Sequence, residues 1–228
     1  MNFKKLRMYL AGLISMTAML AMIGGMYLFR KHNRWWRWWW SRLTVWLSGS
    51  QAQIEGAPDP AAKLYVLNHR SLLDIVLLEA LLPKTLNPCW IAKKEIAKIP
   101  IYGRILDAPK MLVIDRENSR EMVKLLKMAL EPLGEGRPLM IFPEGTRNKV
   151  GGLLPFKPGA KMLAEKHNLL VQPVVLKGTD DRFHLSRGVT SGPVYVRYLS
   201  AVDPSQEGWY EKLAEEMAAV YNALPETR

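Results

Sequence analysis

Residues 63–82 read KLYVLNHRSLLDIVLLEALL. The run Lys63–Leu67 is short, apolar and centred on an aromatic and a β-branched residue, as a buried strand is, whereas Ser71–Leu82 is a longer apolar stretch suited to a helix. Ser71 followed three residues later by Asp74 matches a capping box, in which the carboxylate returns to a backbone N–H at the helix start. The same spacing sets Asp74 about one turn from His69, where it can take the proton of one imidazole nitrogen and leave the other free as a general base. The two uses of Asp74 are compatible. His69 also falls at the carboxyl end of the strand, where α/β proteins hold their ligands.

Outward from this unit, strand-like runs recur at PCWIA (88–92), MLVID (111–115), PLMIF (138–142), LLVQPVVL (169–176) and PVYVRYL (193–199). Helical patterns lie between several of them, at NSREMVKLLKMALEPL (118–133) and KPGAKMLAEKHN (157–168), and the chain closes on an amphipathic stretch at 205–224. Strands alternating with helices predict an α/β fold, a mixed sheet flanked by helices. SGSQAQIEGAPDPAA (48–62) reads as a polar connector, so the globular domain is expected to begin near Lys63.

The 228 residues suffice for one catalytic-sized domain with a small appendage. A single cysteine, Cys89, forbids an internal disulfide and a cysteine-based metal framework. A net charge of +11 calls for an anionic partner: nucleic acid, a membrane surface or a phosphorylated substrate. The N-terminus chooses among them. Residues 8–29 carry no charge and, as a helix, extend about 33 Å, enough to cross a hydrocarbon core. The segment is too long for a signal peptide's apolar region and is followed by RKHNRWWRWWW rather than a cleavage site. Six of the eight tryptophans crowd into residues 35–46 among Arg34, Arg37 and Arg42, a composition suited to the bilayer interface. Residues 1–50 are therefore expected to form a two-helix membrane anchor, with Gly24 and Gly25 permitting a bend, and residues 51–228 the catalytic domain. The larger basic count after the apolar run places that domain on the cytoplasmic side.

A second cluster, MIFPEGTRN, sets Glu144, Gly145, Thr146 and Arg147 just past a strand. Arg147 can grip a phosphate bidentately, Gly145 permits close backbone approach, and Glu144 can accept from a hydroxyl; a turn in which Glu144 and Arg147 simply pair is the alternative. Lys93, Lys94, Lys98 and Arg116 stand near other strand ends, either as phosphate ligands or as solvated surface charges.

NHRSLLD, VIDR, FPEGTR and VQPVVL, in this order and spacing, resemble the four motif blocks of the glycerolipid acyltransferase family, whose best-known members are the 1-acylglycerol-3-phosphate acyltransferases. The likeness extends over about residues 63–178, and the apolar and Trp-rich N-terminus is similar to that family's membrane-embedding helical pair. The resemblance implies transfer of a fatty acyl group from a thioester to the sn-2 hydroxyl of 1-acylglycerol-3-phosphate, giving phosphatidic acid. His69 would be the general base and Asp74 its orienting partner. Arg116, Glu144, Gly145, Thr146, Arg147 and Lys93 would hold the glycerol phosphate. It implies no metal or cofactor, with acyl-CoA or acyl-carrier protein as co-substrate, a lysophospholipid as membrane partner, no nucleic acid, and a cytoplasmic (inner) membrane location. No acyl-enzyme is expected, since Ser71 suits a cap and no G-x-S-x-G elbow is present. Another lyso-lipid as acceptor, or a non-catalytic membrane-tethered module, are the competing functions.

Overall fold

The computed structural model describes residues 3–115, 119–184 and 188–227. Two helices lead, α1 (Phe3–Leu28) and α2 (Asn33–Ser48), followed by β1 (Ser50–Glu55), β2 (Leu64–Leu67), α3 (Leu73–Leu81), β3 (Cys89–Lys93), α4 (Lys94–Ala97) and α5 (Pro100–Asp107). Then come β4 (Leu112–Ile114), α6 (Ser119–Met128), α7 (Leu130–Gly134), β5 (Leu139–Ile141), α8 (Gly159–His167), β6 (Val171–Lys177), α9 (Thr179–Arg182), the short strands β7 (Phe183–His184) and β8 (Gly188–Val189), β9 (Gly192–Tyr198) and α10 (Trp209–Ala223).

A seven-stranded sheet runs in the order β1-β9-β6-β2-β5-β3-β4. Neighbours are parallel except β6 and β9, which are antiparallel, so the sheet is mixed as the alternating pattern predicts. β2 lies between β5 and β6 and buries all four of its residues, which is why it reads as a continuous apolar run. Pro173 is accommodated in β6 at the end of the ladder with β9: its carbonyl accepts from Leu199 N at 3.0 Å, and Leu199 O, which its absent N–H would have faced, accepts from the Gln172 side-chain amide instead. Leu77, Leu78, Leu163, Leu213 and Met217 cover the sheet in one core, each of the order of 1.5–3 kcal/mol for removal from water.

Two expectations need correction. The polar connector at 48–62 contains β1, an edge strand paired parallel with β9 from Ser50↔Gly192 to Glu55↔Arg197, so the sheet starts before Lys63. Its burial pattern is largely exposed, which removed the apolar signal from the sequence. The helix at 118–133 is divided into α6 and α7, since Pro132 cannot donate the N–H that would continue the ladder to Met128. Gly24 and Gly25 do not interrupt α1, which is continuous, and Gly25 is packed so closely on Trp36 that a Cβ there would stand 2.2 Å from the indole.

α2 is seated on α3 by a buried ionic cluster. Arg34 Nη1 donates to Glu79 Oε2 at 2.7 Å, and Arg37 Nη1 donates to Oε1 of the same carboxylate. Arg34 also donates to the carbonyls of Glu79, Leu82 and Leu86 at 3.0, 3.0 and 2.8 Å, closing the C-terminal end of α3. Arg34 and Arg37, expected among the interface arginines, are thus buried at 7% and 2% exposure and serve the protein interior. α1 buries a stripe of Met19, Met22 and Met26 against Trp36, Trp40, Ile105 and Ala108, and leaves Tyr9, Leu10, Leu13, Ile14, Leu20 and Leu28 exposed. A helix apolar on its outer face as well as its inner one has the pattern of a membrane-associated segment. Glu79→Ala leaves two buried guanidiniums without their carboxylate and should lower the unfolding free energy by about 3–5 kcal/mol, read as an earlier transition in denaturant titration of the detergent-solubilised protein.

Candidate active site

The site forms where β2 and β5 end side by side. β2 passes into Asn68, whose side chain continues the ladder: Nδ2 donates to Leu176 O at 2.8 Å and Oδ1 accepts from Leu176 N at 2.7 Å. His69 follows, with its backbone held from both sides by the loop after β5. Its N–H donates to Glu144 Oε1 at 2.6 Å, and its carbonyl accepts from Asn148 N at 2.8 Å.

The chain then turns around Asp74. This fully buried carboxylate takes His69 Nδ1 at 2.8 Å, the N–H groups of Arg70 and Ser71 at 2.7 and 2.8 Å, and the hydroxyl of Thr179 on its other oxygen. Ser71 Oγ accepts from Leu73 N at 2.9 Å, whereas Asp74 N donates to the Ser71 carbonyl, so of the expected capping box only the Asp74 half forms, and regular helix begins at Leu73. Facing an acceptor-only carboxylate, Nδ1 must carry the proton, which leaves Nε2 as the basic nitrogen. Nε2 has no hydrogen-bond partner among the described residues. The imidazole lies flat on Phe142, centroids 3.9 Å apart and planes within 18°.

Glu144 does not open toward a ligand. It is 2% exposed, and besides His69 N–H it accepts Leu154 N–H at 2.8 Å, so its contacts are those of a brace for the two loops. Burial pushes its carboxyl above the usual carboxylate range, against the lowering effect of these two N–H groups. Gly145 adopts φ +72°, a left-handed conformation that favours glycine, in the turn closed by its N–H to Phe142 O at 3.1 Å. Thr146 and Arg147 are exposed at the rim. Lys93 ends β3, half-buried and 3.5 Å from the Glu95 carboxylate. Arg116 lies outside the described residues.

Three neighbours carried no assignment from sequence. Asn68 was part of the quoted motif, but a ladder-mimicking amide has no local pattern. Thr179 lies 105 residues beyond Asp74 and is brought to it only by β6 running beside β2. Lys157 lies across the Gly145 turn, its Cε and Nζ 3.0 and 3.1 Å from where a Cβ at 145 would stand. Its backbone is pinned there by donation to Pro143 O at 2.9 Å and by the Tyr210 hydroxyl on its own carbonyl at 2.7 Å. Two clefts among the described residues, of about 510 and 440 Å³, lie elsewhere, one lined by α5, β4 and α7 and the other between α1 and α2.

The site brings together a histidine held by a buried carboxylate at a strand end and, beside it, exposed hydroxyl and cationic side chains. The comparisons specify the class. Residues 52–177 match the Acyltransferase family, and the chain belongs to it. It is similar to the 1-acyl-sn-glycerol-3-phosphate acyltransferase of Helicobacter pylori strain J99, 46% identical over 180 residues covering 77% of this chain and 75% of the relative. The enzyme of that name from Cocos nucifera is 34% identical across 80% of this chain and 59% of its own length. The crystal structure of the 1-acyl-sn-glycerophosphate acyltransferase of Thermotoga maritima superposes with a TM-score of 0.75 at 26% identity, covering 98% of this chain and all of the other. The chain is accordingly an O-acyltransferase.

Asp74→Asn offers Nδ1 a group that no longer enforces its proton, and should lower kcat about 10²- to 10⁴-fold with little change in either KM. Thr179→Val should act in the same direction by about three- to tenfold. Steady-state kinetics with acceptor and donor varied separately checks both.

Proposed function

We propose that the chain transfers a fatty acyl group from a thioester to the sn-2 hydroxyl of 1-acylglycerol-3-phosphate, yielding phosphatidic acid. The observation that carries this reading is the His69–Asp74 pair, with Nε2 unpartnered among the described residues, beside a turn that exposes Thr146, Arg147 and Lys157. The names of the relatives from Helicobacter pylori and Thermotoga maritima support the same acceptor.

In this mechanism Nε2 removes the proton of the acceptor hydroxyl as its oxygen attacks the thioester carbonyl. The resulting imidazolium is stabilised by Asp74, and its proton passes to the departing thiolate as the tetrahedral intermediate collapses. Transfer is direct. Ser71 Oγ is engaged in capping Leu73 N–H, and Cys89 is buried in β3 with burial pushing its thiol up, so neither is placed to hold the acyl group. Arg147 and Lys157 hold the acceptor phosphate, with Thr146, Lys93 and Arg116 contributing, while Glu144 and Gly145 shape the turn that presents them. The donor is acyl-CoA or acyl-carrier protein; the reaction as written consumes only donor and acceptor, with no metal, cofactor or nucleic acid.

Among the described residues one helix, Leu6–Leu28, is long and apolar enough to cross a membrane. The proposed division has residues 1–50 holding the chain in the inner membrane and residues 51–228 facing the cytoplasm, where the donors are found. Exposed Ile99, Ile101 and Tyr102 add apolar surface on α5 and its approach, an element packed on α1 through Ile105 and Ala108.

Purified protein should acylate lysophosphatidic acid in preference to other lyso-lipids, and His69→Ala should abolish turnover while leaving the circular dichroism unchanged; a folded variant with near-normal turnover would refute the assignment. Charge-only attachment is screened within about 3 Å at 1 M salt, so the chain should remain in the membrane pellet after such a wash and be released by detergent.

A further inference from the structure

His69, Phe142 and Trp90 form one stack. Phe142 is parallel to the imidazole at 3.9 Å, and Trp90 lies behind it at 5.6 Å with planes within 20°. The sheet sets this order. Trp90 pairs with Met140 across β3 and β5, and Phe142, two residues on, projects from the same face as Met140. The indole is fixed in turn, because its Nε1–H donates to Glu79 Oε1 at 2.8 Å. Glu79 is the carboxylate that also receives Arg34 and Arg37 of α2.

Asp74 grips the imidazole at one edge only. A single hydrogen bond on Nδ1 chooses the tautomer but leaves the ring able to tilt about the bond, and tilting swings Nε2 away from an incoming hydroxyl. A face contact removes that freedom, since a flat ring packed 3.9 Å from the imidazole leaves no space for it to tilt into.

We propose that Glu79, Trp90 and Phe142 are positioning residues for His69. Glu79 holds the indole, the indole backs Phe142, and Phe142 sets the plane in which Nε2 meets the acceptor. Because Glu79 also seats α2, the docking of the membrane helix and the orientation of the base share one buried carboxylate. This rests on His69 being the general base.

The test uses full-length protein in detergent micelles, with Phe142→Leu, Phe142→Tyr and Trp90→Phe compared by kinetics and by NMR of the His69 ring protons, assigned through His69→Ala. Phe142 lies over the imidazole, so its ring current shifts those protons upfield. Phe142→Leu should move them downfield and lower kcat about tenfold to a hundredfold, with both KM values within about twofold, and Phe142→Tyr should restore shift and rate together. Trp90→Phe keeps a flat ring without its N–H, and should shift the resonances and lower kcat to a smaller extent. A Phe142→Leu chain with wild-type kcat, or one whose loss appears as a raised KM for acceptor, overturns the positioning role. Trp90→Phe indistinguishable from wild type in both readouts overturns its extension to Glu79. Wild-type protein that fails to acylate lysophosphatidic acid counts against the proposed reaction, while the ring-proton shifts still decide the stack.

Discussion

A carboxylate sealed from water is costly unless its lone pairs are filled, and Asp74 is fully buried at the meeting point of β2, α3 and α9. Its four donors come from His69, Arg70, Ser71 and Thr179. Two of them, the consecutive N–H groups of Arg70 and Ser71, fold the chain back on itself as it leaves the sheet. A third carries the histidine proton, and the fourth ties α9 to the same point. The turn that starts α3, the tautomer of His69 and the attachment of the segment after β6 are therefore one requirement met by one side chain. No single-purpose account of Asp74, as cap or as catalytic partner, covers all four bonds.

Glu144 plays the matching part on the neighbouring strand. It spans from the His69 N–H to the Leu154 N–H, so the loop after β2 and the long loop after β5 hold each other. The exposed side of that loop is then free to present cations. Glycine at 145 is favoured by its left-handed backbone, and the end of the Lys157 side chain lies about 3 Å from where a Cβ would stand. Exposed groups at the rim and bracing groups beneath them alternate along one short motif.

The helical pair is similarly more than an attachment. Its outer face is apolar, while α2 turns two arginines inward to a carboxylate on α3. An ion pair with this burial is no strong source of stability by itself, but it demands one register between α2 and α3, because either arginine displaced would be left uncompensated. The helical pair and the sheet domain are thus fixed relative to one another through α2 and α3, with methionine and tryptophan packing filling the space between α1, α2 and α5.

The sequence by itself determined the alternation of strands and helices, because β2, β3, β5 and β6 are buried and their apolar runs stand out, and it located His69, Asp74 and the 144–147 turn, because motif chemistry is local. It also marked the first helix, whose outer face is apolar over most of its length. What only the tertiary structure decided depended on partners far along the chain. β1 is an exposed edge strand that became legible once β9 lay beside it. Arg34 and Arg37 have the composition of interface residues, yet Glu79 draws them inside. Thr179, Lys157 and Phe142 acquire their parts from the adjacency of β2, β5 and β6, which no spacing in the sequence encodes. Periodicity reports which face of an element is apolar, whereas a buried polar contact is defined by its partner, and that partner is known only when the sheet order is.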